Sequence, residues 1–175
     1  MKRIIATIIA IVFVSAIGVK VVHAKDMKIG YINSQQIMSE LQESQDAQKK
    51  LEKEEADYKK KLDDMESDIA KLRDTFEKQS AMMTEDKQKE KYAEIQSKMD
   101  DYEKFRKDTW GPEGKLYQRN AELTRPILDK VNTIIKKVGE SDGYDYIFDV
   151  VPGGVVYAKP SDDLTQRVLE ELQKK

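Results

Sequence analysis

The chain reads as an α+β protein that is mainly α. The sequence predicts a long antiparallel helical hairpin, a coiled-coil arm, standing on a small β body built from an N-terminal strand and a C-terminal β-hairpin. Three observations predict it. The run from about Gln35 to Trp110 is nearly all charge, Gln and Ala, threaded by one thin apolar stripe. Within that run Tyr58, Leu62, Met65, Ile69, Leu72 and Phe76 recur at steps of 4, 3, 4, 3 and 4, a narrow seam that suits a coiled coil better than a globular core helix. Short strand-like segments flank the run on both sides. Composition agrees: of 175 residues 37% are charged and only 7% aromatic, with a mean hydropathy of −0.71. That is too little apolar surface for a compact globule of this length, so much of the chain is expected to be elongated or oligomeric.

Residues 1–24 stand apart. Lys2 and Arg3 make a basic start, Ile4 to Val19 is almost wholly apolar, and Val22-His23-Ala24 offers modest residues before a cleavage point. This is the anatomy of a secretory signal peptide, with an uncleaved membrane anchor as the alternative. Cleavage after Ala24 removes three of the 31 bases, leaving 28 against 33 acids and a net charge of −5. It also removes the only histidine, and the chain has no cysteine, so export serves no disulfide framework.

The elements follow in order. Lys28 to Asn33 reads as a short strand, with Ile29 and Tyr31 on one face. Ser34 offers an N-cap oxygen to a helix that runs from Ile37 to Met82, roughly 70 Å at the helical rise. Register is lost near 81–84, where Thr84 is a fair cap for a new helix with Glu85 and Asp86 at its positive end. A second stripe, Tyr92, Ile95, Met99, Tyr102 and Phe105, stops at Trp110-Gly111-Pro112-Glu113-Gly114. A third stretch carries Leu116, Leu123, Ile127, Val131, Ile134 and Val138, with Pro126 expected to kink it and Gly139 and Gly143 closing it. The two returning pieces add to about 76 Å, nearly matching the outgoing helix. The arm is therefore 35–138 with its tip near 81–84, and the β body is 25–34 with 139–175. Glu55–Lys59, Asp57–Lys61, Glu94–Lys98 and Glu103–Lys107 are spaced for i,i+4 support. Tyr144 to Val151 alternates, Pro152-Gly153-Gly154 turns the chain and Val155 to Ala158 runs back as a hairpin. Asp163 then caps a last helix with Gln166 at the capping-box position. Three short strands leave exposed edges that pairing between identical chains would close, a physical reason to expect a symmetric oligomer.

Chemistry is scarce. There is no Gly-rich phosphate loop, no Ser-His or Cys-His set and no His or Cys cluster for a metal. Asp63-Asp64 and Asp100-Asp101 read as solvated helix faces, and Asp142, Asp145 and Asp149 lack the spacing of a calcium loop. No enzyme activity, cofactor or metal is expected, and the mixed charge disfavours nucleic acid. Met65 and Met99 keep the stripe's spacing and are read first as seam fillers, whereas Met82 and Met83 sit beyond it, equally suited to filling space and to a promiscuous apolar contact. Gly111 to Gly114 is either a hinge or a static joint.

Lys28-Ile29-Gly30-Tyr31-Ile32-Asn33, Arg125-Pro126-Ile127-Leu128, Gly143 to Asp149, Gly154 to Ala158 and Asp163-Leu164-Thr165 carry a resemblance to the OmpH/Skp family of periplasmic chaperones. It covers essentially all of the chain after the signal segment. The resemblance implies a homotrimer whose strands form a shared barrel-like body, packed by Ile29, Tyr31, Tyr146, Phe148, Val155 and Tyr157. It also implies three arms around a cavity that holds unfolded outer-membrane proteins without ATP, with Met65, Phe76, Met82, Met83, Tyr92 and Met99 touching clients; Gly111, Pro112 and Gly114 are hinge candidates by residue type alone. The family's best-known members have cationic arm tips. Here residues 77–107 hold eight acids and eight bases, a balance that argues against strong contact with anionic membrane lipid. The expected function is an ATP-independent holding chaperone of the periplasm; the alternative is a structural coiled-coil spacer of the cell envelope.

Overall fold

A computed structural model describes residues 26–174. The expected signal segment 1–24 lies outside the described residues. The order is β1 (Ile29–Ile32), α1 (Ser34–Glu40), α2 (Gln42–Gln79), a 3-10 turn (Ser80–Met82), α3 (Glu85–Trp110), α4 (Lys115–Asp142), β2 (Tyr146–Asp149), a second 3-10 turn (Pro160–Asp162) and α5 (Thr165–Gln173). Mainly helical, with one small sheet, it matches the predicted class. Among the described residues no helix is long and apolar enough to cross a membrane.

The sheet differs from expectation. β1 and β2 pair in parallel, Ile29 opposite Tyr146 and Tyr31 opposite Phe148, and the two strands form the whole sheet among the described residues. The predicted C-terminal hairpin is absent, because 155–158 carries no strand. The chain leaving β2 is held elsewhere: Val150 N–H donates to the Ile32 carbonyl at 3.0 Å, and the Asp149 carboxylate accepts from Ser34 and Val151 N–H at 3.2 and 3.1 Å. Pro152 has no N–H to give to a ladder. Parallel pairing is possible because the whole helical excursion serves as the crossover.

The core lies under the sheet. Ile32, Ile37, Leu41, Ile127, Val131, Val138, Leu164, Val168, Leu169 and Leu172 are buried together, with Tyr144 and Ile147 packed against them. The inner sheet face, α1, the second half of α4 and α5 each supply apolar residues, so the base of the arm belongs to this core. Gly30 is required by closeness: a Cβ there would lie 2.7 Å from Leu164 Cδ1 and 2.9 Å from the Tyr144 ring.

The helix starts follow local chemistry. Asn33, rather than Ser34, is the first cap, its side chain accepting Gln36 N–H at 2.9 Å. The outgoing helix is not continuous: Leu41 takes φ −76 and ψ 121, without Pro or Gly, and its side chain is buried in the core. Burial of Leu41 and the Ser39 carbonyl's bond from the Gln45 side chain at 2.9 Å hold this break. Thr84 caps α3 as expected, accepting from Lys87 N–H. α4 runs through Pro126 and past Gly139, ending at Gly143, whose φ of +72 is the left-handed helix stop. Before α5 the cap position is Leu164, while the Asp163 carboxylate accepts Thr165 N–H at 2.8 Å.

α2 meets α3 and α4 running the other way. Its cross-helix partners descend as it ascends: Glu43 with Lys130 at 2.6 Å, Glu54 with Arg119 at 2.9 Å, the Tyr58 ring 6.1 Å from Phe105, and Arg73 beside Met99. Of the expected i,i+4 pairs only Glu55–Lys59 forms, at 3.1 Å. Glu94 takes Lys91 and Glu103 takes Arg106, each at 2.6 Å and i,i+3. Lys61 lies over the Phe105 ring at 4.7 Å.

Candidate functional site

Two surfaces hold the residues singled out by the sequence. The first is the outer face of the sheet. Alternation along a strand sends Gly30, Ile32 and Ile147 inward and Ile29, Tyr31, Tyr146 and Phe148 outward. Ile29, Tyr146 and Phe148 are 47%, 55% and 48% exposed, and the Tyr146 and Phe148 rings stack 6.1 Å apart at 15°. The outer edge of β2 has no partner strand among the described residues. Tyr157 and half-buried Val155 lie in the irregular segment after Gly153 and Gly154, where Val156 and Tyr157 stand almost fully in solvent. A contiguous apolar sheet face and an open edge are what an assembly surface needs and what a lone soluble domain avoids. Tyr31 is also tied through its backbone, its carbonyl accepting Leu164 N–H at 2.8 Å, and burial together with the Asp163 and Asp162 carboxylates pushes its ionisation above the ordinary tyrosine value.

The second surface is the arm. Ile69 and Ile95 are buried between α2 and α3, while Met65, Phe76, Met83 and Met99 are half-buried along the same seam. Met82, in the turn at the tip, is 83% exposed. Tyr92, placed on the second stripe by spacing, is 58% exposed, so it faces away from the seam. Ile69, Arg73, Met99 and Tyr102, rimmed by Glu66 and Glu103, line a shallow hollow on the outer arm.

An aromatic cluster went unread in the sequence. Tyr58, Phe105 and Trp110 meet edge to face, with centroids 6.1 to 6.4 Å apart, and Lys61 and Lys115 lie over the Phe105 ring at 4.7 and 5.7 Å. Lys59 and the Trp110 ring N–H hold the Glu55 carboxyl below its ordinary range. The signal was present: Tyr58 and Phe105 sit on the two stripes, but Trp110 reads as a stop and conceals its packing role. Tyr117 and Leu128 are also exposed, at 62% and 45%, and an eleven-residue spacing sets them on one face of α4.

The candidate hinge, Gly111, Pro112 and Gly114, lies beside this cluster as a tight turn. Gly111 N–H donates to the Lys107 carbonyl at 2.8 Å and Gly114 N–H to the Gly111 carbonyl at 2.9 Å. A Cβ at Gly111 would lie 2.4 Å from the Lys107 oxygen, and one at Gly114 2.6 Å from the Thr109 oxygen. Thr109 is fully buried, and its hydroxyl has no hydrogen-bond partner.

The strongest electrostatic group is structural. Glu171, 8% exposed, receives Lys174, Arg167 at 2.7 Å and Lys137 at 3.0 Å, which hold its carboxyl down at about 2. This ties α5 to α4 beneath the sheet. Among the described residues no group of three His, Cys, Asp or Glu is placed to hold a metal ion.

The fold is a parallel-stranded base with an apolar outer face, carrying an antiparallel helical arm stitched by a thin seam. The chain belongs to the family of OmpH-like outer membrane proteins, whose profile matches residues 28–172. Among solved structures it is similar to a candidate outer membrane chaperone (OmpH-like) of Caulobacter crescentus CB15, with a TM-score of 0.74 at 13% identity over 83% of each chain. At that identity the likeness shows the fold. No curated protein matches the chain significantly.

Proposed function

We propose that this protein is an ATP-independent holding chaperone that keeps unfolded outer-membrane proteins soluble in the periplasm, exported by a cleaved signal peptide and acting as a homotrimer rather than an enzyme. The observation that carries the reading is the outer sheet face: Ile29, Tyr146 and Phe148 in solvent beside an open strand edge. Copies of the same chain are the proposed cover for that face, with their arms extending around shared space. Family membership supports the chaperone role. Met65, Phe76, Met82, Met83, Tyr92 and Met99 are the proposed client contacts, loose and apolar on an otherwise charged arm. Gly111, Pro112 and Gly114 are proposed to let the outer arm swing; spin-label distances between arms that stay narrow and unchanged with client reject that swing.

Native mass spectrometry of the protein from Lys25 onward, alone and with one urea-unfolded outer-membrane barrel, tests the reading. A trimer that captures one client is expected. A monomer or dimer that ignores the client overturns it and leaves the envelope spacer as the better account.

A further inference from the structure

We infer that Met82 is a reversible oxidation site that sets how apolar the arm tip is; the functional half of this inference rests on the chaperone reading. The chain has no cysteine, so its soft two-electron sulfur chemistry belongs to methionine alone. Met82 is the most exposed arm methionine, at 83%, whereas Met65, Met83 and Met99 are half-buried and the Met99 sulfur is covered by the Arg73 guanidinium.

The turn that carries Met82 does not depend on its side chain. Met83 N–H donates to the Ser80 carbonyl at 3.1 Å. The Gln88 side chain donates to the same carbonyl at 2.7 Å and to the Met83 carbonyl at 3.4 Å. Thr84 starts the next helix. The tip is thus fixed by backbone, Gln88 and a cap, leaving the thioether free to change chemistry without loosening the α2–α3 seam. The step balances with hydrogen peroxide: the sulfur lone pair attacks one peroxide oxygen, the O–O bond breaks, the thioether becomes a sulfoxide and water leaves. The product is a polar side chain at the end of the arm, and an exposed sulfoxide is open to reductive repair.

The experiment treats the assembled protein with limiting hydrogen peroxide and maps added oxygen by peptide mass. Client holding and helical signal are followed before treatment, after it, and after a methionine sulfoxide reductase. Met82 should oxidise on the order of threefold or more faster than Met65 and Met99, with helicity unchanged. Holding should fall and return on reduction; Met82→Gln should reproduce the loss without oxidant, and whatever holding Met82→Leu has should not change with oxidant. Oxidation of Met99 in step with Met82, or full holding by a Met82-oxidised protein, overturns the inference. An untreated protein that holds no client overturns the chaperone reading and the functional half with it, while the oxidation order is still decided by the mass map.

Discussion

Tyr146 and Phe148 stack ring on ring at 6.1 Å, on the face of β2 turned away from the core. Two stacked aromatics, each about half exposed, are a poor end state for an isolated chain and a good anchor for a partner surface. Replacing either ring by Ser is expected to weaken self-association by ~2 kcal/mol or more, about 30-fold. Sedimentation across a dilution series reads the change. Undiminished assembly in the Tyr146→Ser/Phe148→Ser protein places the interface elsewhere.

Phe105→Ala removes the ring that Tyr58, Trp110, Lys61 and Lys115 all face. Because these rings are half-buried, the cost is expected near 1–2 kcal/mol rather than that of a full core deletion. The single tryptophan, Trp110, reports it directly: its emission should shift to the red while α5 and the core stay folded.

Gly114→Ala places a methyl 2.6 Å from the Thr109 carbonyl oxygen. The backbone angle is ordinary, so the conflict is one of closeness with backbone that cannot step aside. A loss of about 1–3 kcal/mol is expected, seen as a lower midpoint in thermal melts followed by helical signal. An unchanged melt means the joint relaxes freely, which strengthens the hinge reading.

Acid should unfasten α5 from α4. Glu171 ionises near 4.5 when unfolded and near 2 when folded, so its stabilisation is present in full above about pH 4.5 and is lost as pH falls toward about 2. At neutral pH Glu171→Gln should be less stable than the natural chain, and the gap between the two acid-unfolding curves should close across that window. A gap independent of pH assigns the effect to packing.

The arm was the legible part. A seam with steps of 3 and 4 implies a partner helix, and Thr84, with an acidic pair after it, marks the start of α3 because capping chemistry is local. The β body was legible only in part: β1 and the alternation around Tyr146 and Phe148 are found as strands, but 155–158 forms none, and the chain leaving β2 is tied to β1 by Asp149, Ser34 and Ile32, which do not lie together in sequence. The break at Leu41 left no trace because no Pro or Gly makes it; a buried leucine does. Tyr92 shows the limit of period alone, since it keeps the spacing of a seam that has already turned away from it.

Ile69 and Ile95 are the buried apolar residues of the outer arm, whereas ten lie together at its base. Protection of the backbone should follow that imbalance. Amides near 80–90 should trade their hydrogens with water by brief fraying from the free end, at little cost, while those of α1, α5 and the second half of α4 exchange only when the base itself opens. Exchange is expected to be graded along the molecule, fastest at the tip and slowest where the sheet begins.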